Sequence, residues 1–189
     1  MADKKSDRRV SKTQKAIRES LIELLSEKDI SKITIQELAD KADVNRVTIY
    51  KHYYDIYDLY DNVKKDIMTE LGLLMLKYQE MSAEDFTNDF VQYIEDNPKL
   101  FKMIFSPFNT SEINEQFCKM IEGVFHIVWT ERLNADLTDA RIKYFCIYHA
   151  KGCIAIFENW VNENFSQSRE VIAGIISDMN KNAEKNLIQ

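Results

Sequence analysis

The sequence predicts an all-α protein, and three observations carry that prediction. Only 4 of the 189 residues are glycine and 2 are proline, too few for the many turns of an all-β chain. Apolar residues recur at helical spacing, as in Ile17, Leu21, Leu24 and Leu25 at i, i+4, i+7 and i+8. Capping residues punctuate these runs at intervals that suit helices.

Residues 1–10 are polar and charged and read as a mobile basic arm. The first helix starts near Ser11 and ends near Glu27–Asp29. Thr34 followed by Glu37 forms a capping box that opens a second, short helix, whose apolar face is Ile35, Leu38 and Ala39. The stretch "KADVN" interrupts it, with Val44 as an apolar plug and Asn45 as the N-cap of a third helix from Arg46 to about Tyr53. Asp55 and Asp58 supply the next N-cap and an acidic first turn, opening a fourth helix at about Ile56. Two short helices joined by a tight turn and preceded by a longer one make a helix-turn-helix arrangement.

Further helices follow. Ser82 caps one that runs to about Glu95. Asn97 before Pro98 is an N-cap with proline at the first helical position, opening the short "KLFKMIF", which Pro107 ends. Ser111 caps a helix to about Thr130, and "LNADLT" is a loop. Thr138 caps a long helix to about Asn164, and Ser168 caps the last one, to about Lys185. The count is about nine helices. They form an N-terminal three-helix module over residues 11–61, with the helix-turn-helix at 34–53, and a helical bundle over 62–189.

Charge separates the two modules. Residues 1–53 hold 12 Lys+Arg against 9 Asp+Glu, while the remainder holds 13 against 22. A basic end on an acidic body suits a protein that meets a polyanion at one end only. Enzyme chemistry has no foothold. His52, His126 and His149 are far apart in sequence, and the chain has no HExxH, no GxSxG and no glycine-rich phosphate loop. Cys118, Cys146 and Cys153 each sit in an apolar run and read as buried free thiols, so neither a metal nor a cofactor is expected. No secretory h-region and no bilayer-length apolar run is present, and the expectation is a soluble, cytoplasmic protein.

The segment "ITIQELADKADVNRVTIYKHYYDIYDLY" resembles the DNA-binding segment of the TetR family of bacterial transcription regulators. Thr34, Leu38, Ala39, Ala42, Val44, Thr48, Ile49, Tyr50, His52, Tyr53 and Leu59 fall at matching positions. Three residues depart from the family pattern. Asp43 stands for the turn glycine, Val47 for a small residue, and Ile56 or Tyr57 for the lysine that often opens the fourth helix. The resemblance covers about residues 11–60 and implies duplex DNA as partner, read through a pseudo-palindromic operator by a homodimer.

DNA contact is expected from Thr34 and Asn45 at two helix N-termini, where free N–H groups favour phosphates. Arg46, Val47, Thr48, Tyr50, Lys51 and His52 follow on the recognition helix. Arg8, Arg9 and Lys12 are expected along the backbone or in a minor groove. Five tyrosines crowd residues 50–60, and a buried phenol needs a hydrogen-bond partner that Leu or Phe does not. Tyr53 matches a family phenylalanine and is expected in the core, and Tyr60 toward the body. Tyr54 and Tyr57 flank the missing lysine and are expected to replace it as neutral phosphate donors.

In the body, the helix over 138–164 is apolar nearly all round and must be covered on most sides. The resemblance implies a dimer interface made by the last two helices, with Phe145, Gly152, Ala155, Ile156, Trp160, Ile172, Ile175 and Ile176 as candidates. It also implies a small-molecule effector pocket, with Met103, Phe105, Phe125, Trp129 and Tyr148 as candidate lining. The function these readings give is a transcriptional repressor released by a small-molecule effector. The alternative is an adaptor or co-activator whose body binds a protein partner. A cavity on the order of 300 Å³ favours the first and a filled interior the second.

Overall fold

A computed structural model of the chain describes residues 2–77, 81–108, 111–133 and 140–188. Among these residues lie nine α-helices and one short 3-10 turn, with no strand. Helix α1 spans Ala2–Glu27, so residues 2–10 continue the helix that was expected to start at Ser11. The physical reason is the absence of a breaker, since no Gly or Pro occurs before Glu27. Ile17, Leu21 and Leu25 are fully buried. They face α2 (Ile35–Lys41) and α6 (Pro98–Ile104).

Between α1 and α2 lies the 3-10 turn Ile30–Lys32. Asp29 holds it by accepting from the Ser31 backbone N–H at 2.8 Å and from the Ser31 hydroxyl at 2.6 Å. Thr34 caps α2 as its spacing predicts, its Oγ1 accepting from the Glu37 N–H at 3.1 Å. The turn after α2 places Asp43 at φ 53°. That left-handed position is where the family carries glycine, and a short polar side chain tolerates it better than most. Val44 plugs the turn, its N–H donating to the Ala39 carbonyl at 3.0 Å.

Helix α3 is short, Arg46–Tyr50, and Asn45 Oδ1 accepts from the Val47 N–H at 2.8 Å. Helix α4 then runs Ile56–Leu76. Asp55 caps it with Oδ1, accepting from the N–H groups of Tyr57 and Asp58 at 2.9 Å each. Asp58 Oδ2 accepts in turn from the Tyr54 N–H at 2.8 Å. These bonds need a break between α3 and α4, so the tyrosines do not share one helix face.

The body contains α5 (Ala83–Asp96), α6, α7 (Ser111–Leu133), α8 (Ala140–Asn162) and α9 (Arg169–Ile188). Ser82 caps α5, its Oγ accepting from the Asp85 N–H at 3.0 Å. Asn97 precedes α6, but its side chain makes no cap bond there. Its Nδ2 donates to the Tyr93 carbonyl at 2.8 Å, closing the end of α5 instead. An orphan carbonyl at a helix end attracts a donor, and Pro98 leaves α6 one N–H fewer to satisfy. The expected cap Thr138 lies outside the described residues.

Helices α7 and α8 pack along each other, as do α5 and α9. Their shared core is aromatic. Phe90 stands edge-on to Phe101 and Phe157, Phe101 and Phe105 both stand edge-on to Phe117, and Phe101 is tilted against Phe105. Burial of each such ring contributes roughly 1.5–3 kcal/mol. Between α8 and α9 the chain turns through Asn164 and Phe165, both at positive φ. The turn is held by the Phe165 N–H on the Trp160 carbonyl at 2.9 Å and by Trp160 Nε1 on the Gln167 carbonyl at 2.9 Å. The Trp160 and Phe165 rings meet edge-to-face at 4.9 Å.

Candidate nucleic-acid interface and effector cavity

The exposed face of α3 gathers most of the residues expected to meet DNA. Arg46, Val47, Tyr50, Lys51 and His52 are exposed, and Thr48 is half-buried. Among the described residues, neither Arg46 nor Lys51 has an ion-pair partner, so their charge is free for an incoming anion. The His52 ring lies tilted beside the Tyr53 ring, 6.3 Å between centroids. Ile49 is fully buried on the opposite face and anchors the helix. Thr34 and Asn45 are also exposed. Each spends its side-chain oxygen on a cap bond, and what remains at both helix starts is backbone N–H and partial positive charge.

The tyrosines separate as their positions suggest. Tyr53 is half-buried against the core, and burial, aided by the Asp66 and Asp58 carboxylates, pushes its phenol above the ordinary range. Tyr60 is buried, with the Lys64 ammonium 5.5 Å from its ring centre. Tyr54 is 87% and Tyr57 52% exposed, so two large rings stand in solvent beside the recognition helix. Lys12 is exposed on α1, and Arg8 and Arg9 lie in its first turns, their side chains outside the described residues. Sequence reasoning passed over Lys32, an exposed cation two residues before the α2 cap. Its signal was only its position beside Thr34.

A charged joint ties this module to the body. Glu23 on α1 pairs with Lys41 at the end of α2, at 2.8 Å, and with Lys99 on α6. Hydrogen bonds from Lys41 and then Lys99 hold the Glu23 carboxyl below its ordinary range. Arg18 on α1 bonds Glu70 on α4 at 2.8 Å. One carboxylate thus bridges α6 and α2.

On the far side of the body, burial revises the interface candidates. Trp160, Ile172 and Ile176 are buried within the protomer, and Phe145 packs on Trp129 at 4.9 Å. Ile156 is half-buried. Trp160, Ile172 and Ile176 build the protomer's core, while Phe145 and Ile156 pack against it and keep part of their surface open. Gly152, Ala155 and Ile175 are exposed, as expected of an interface. They share α8 and α9 with Tyr144, Tyr148, Val171 and Met179, all exposed large apolar side chains. An all-round apolar helix does not say in sequence which side its own body covers.

The pocket candidates also divide. Tyr148 is 73% exposed and stands outside the wall of the body's apolar cavity. Met103 and Phe105 are buried, Phe105 within the aromatic core. Trp129 stacks on Phe125 at 4.9 Å and meets His149 edge-on at 5.0 Å. Burial lowers the His149 imidazole below its ordinary range. Of the five, Phe125 lines the apolar cavity inside the body. That cavity measures about 40 Å³ and lies among α4, α5, α7, α8 and α9, walled by Met75, Phe90, Ile121, Phe125, Phe157 and Ile176. It is far smaller than the several hundred Å³ typical of drug-sized ligands.

Among the described residues no group of His, Cys, Asp and Glu could hold a metal ion, and no helix is long and apolar enough to cross a membrane. The three cysteines are buried free thiols, and burial pushes Cys146 up to about 11 and Cys153 to about 12.

Comparison with known proteins agrees with this architecture. Residues 17–63 match the model for bacterial regulatory proteins of the tetR family, and residues 82–182 match that for a transcriptional regulator C-terminal region. The chain is 26% identical over 165 residues to an uncharacterized HTH-type transcriptional regulator, YxbF, of Bacillus subtilis (strain 168). That match covers 83% of this chain and 42% of the relative, so the chain spans under half the relative's length. A TetR transcriptional regulator from Streptococcus agalactiae 2603V superposes with TM-score 0.66 at 22% identity, over 92% of this chain and 96% of that one. FadR from Bacillus subtilis, solved in complex with stearoyl-CoA, superposes with TM-score 0.66 at 13% identity, over 87% and 95%. With both modules matched and the fold shared end to end, the chain belongs to the TetR family of transcriptional regulators.

Proposed function

We propose that this regulator binds duplex DNA sequence-specifically as a homodimer, and that it is a repressor released by a small-molecule effector held in its body. One observation carries the DNA reading: Arg46 at the start of α3 and Lys51 just after it have no ion-pair partner among the described residues and stand beside exposed Val47 and Tyr50. Arg46 and Lys51 have the reach for guanine edges or phosphates, and Val47 offers an apolar contact for a thymine methyl. We assign DNA binding to residues 11–61 and effector binding and dimerisation to residues 62–189.

The exposed Tyr144, Tyr148, Val171, Ile175 and Met179, with Gly152 and Ala155 between them, supports the dimer. An apolar face of this kind rarely stays uncovered in a monomer. Two copies related by a two-fold axis present two α3 helices to a pseudo-palindrome. For the effector, support comes from the small apolar cavity in the body and from the structurally similar FadR, whose complex holds stearoyl-CoA. The cavity's small volume limits the effector to a compact molecule, unless the walls part. The Glu23 link between Lys99 and Lys41 is the route by which a change in the body would reach the recognition module.

Selection of bound sequences from a random DNA pool tests the central claim. The expected result is one enriched motif with two-fold symmetry. Recovery of unrelated sequences in proportion to the input would reject it. If operator binding holds but no small molecule binds, the body is an adaptor surface for a protein partner.

A further inference from the structure

We infer that Val47 determines specificity by reading the 5-methyl group of a pyrimidine in the major groove, so that each operator half-site carries a thymine where α3 points straight at the bases. The inference rests on the reading of α3 as the recognition helix and names the base chemistry that this helix selects. It starts from where Val47 stands. Successive helical residues turn by about 100°, which sets Val47 about 200° round α3 from Ile49. Ile49 is fully buried, so Val47 points almost directly away from the core, and it is 56% exposed. Arg46 and Thr48 stand to either side of it, and Tyr50, also exposed, follows one turn later on the same face.

The side chain is held stiffly. The Val47 N–H donates to Asn45 Oδ1 at 2.8 Å, and the Val47 carbonyl accepts from the Lys51 N–H at 3.1 Å. A β-branched side chain in a helix keeps essentially one rotamer. Folding gives valine no advantage here, since the position is exposed and valine is a weaker helix former than alanine. An isopropyl group has neither donor nor acceptor, so it reads no hydrogen-bond pattern and holds no phosphate. The apolar group that base edges present in the major groove is the thymine 5-methyl. Against any other edge, Val47 would strip water from a polar base atom without replacing its hydrogen bond. Arg46 and Lys51 beside it supply the donors for neighbouring guanine edges or phosphates.

The test uses the full chain and the operator obtained from the random DNA pool, with affinity measured by filter-binding titration. Uracil replaces thymine at one position at a time, in both half-sites together. At one position the loss should be about fourfold per half-site, the worth of one buried methyl, and on the order of tenfold for the pair. At that position 5-methylcytosine should bind better than cytosine by a similar factor, because the two bases differ by the methyl alone. In Val47→Ser the thymine and uracil operators should bind equally there. The comparisons on the unaltered chain stand even if that variant fails to fold. Half-sites without thymine, uracil tolerated at every position, equal binding of 5-methylcytosine and cytosine, or a uracil penalty unchanged in Val47→Ser each overturn the inference and leave operator binding in place. Selection that returns no motif removes the DNA reading itself, and the inference falls with it.

Discussion

Asp55 is the residue on which the placement of the recognition helix turns, and replacing it with alanine tests that placement. Its carboxylate accepts two backbone N–H bonds of 2.9 Å at the start of α4. Loss of a charged N-cap of this kind costs about 1–2 kcal/mol. For a chain of 189 residues that lowers the melting temperature by about 2–8 °C. The effect on DNA needs a control, because Asp55→Ala also removes a negative charge beside the DNA face and so favours any polyanion. Asp55→Asn removes the same charge but keeps a capping oxygen. The two variants should differ in melting temperature, measured at one protein concentration. Asp55→Ala should bind the selected operator about fivefold more weakly than Asp55→Asn, since about 1 kcal/mol of cap free energy becomes the cost of re-forming the α3–α4 break on DNA. Equal melting and equal affinity in the two variants would refute the view that this cap orders the surface.

Four further outcomes are expected. Tyr54→Phe and Tyr57→Phe should each weaken DNA binding by about 0.5–1.5 kcal/mol with an unchanged salt slope, whereas Tyr53→Phe should leave binding nearly intact; a reversed order in filter-binding titrations would exchange the core and contact roles. Arg46→Ala should reduce the slope of log K against log salt by about one, and an unchanged slope would place Arg46 off the DNA. Tyr148→Glu should shift the sedimentation coefficient to that of a monomer without loss of helicity, while Trp160→Ala should destabilise the fold by about 3–5 kcal/mol because its ring lies inside the protomer. Glu23→Gln should weaken the link between α6 and α2. Since the folded-state Glu23 carboxyl is held below its ordinary range, its contribution is present above that range and is lost as pH falls through the lowered value; a pH-melting profile identical to that of the parent would contradict this.

The chain's local order was legible without the fold. Capping bonds are local, made within three residues of one another, and so Thr34, Asn45, Asp55 and Ser82 could be placed from spacing alone. The left-handed Asp43 follows from the same kind of short-range steric rule. The break at Asp55 argued against one shared tyrosine face, and the family resemblance set Tyr53 inward and Tyr54 and Tyr57 outward, where the structure has them. Asn97 shows the limit even at short range, because its amide had two helix ends to choose between and took the carbonyl behind it. What surrounds an apolar side chain is a matter of distant sequence, and there only the tertiary structure decided. Trp160, Ile172 and Ile176 have the same composition and period as an interface stripe, yet α8 and α9 turn them into their own body and leave Tyr144, Tyr148 and Met179 outside. The cavity wall joins Thr87, Phe125 and Asn180 from three helices, and no periodicity along one helix records which residues of another will face it.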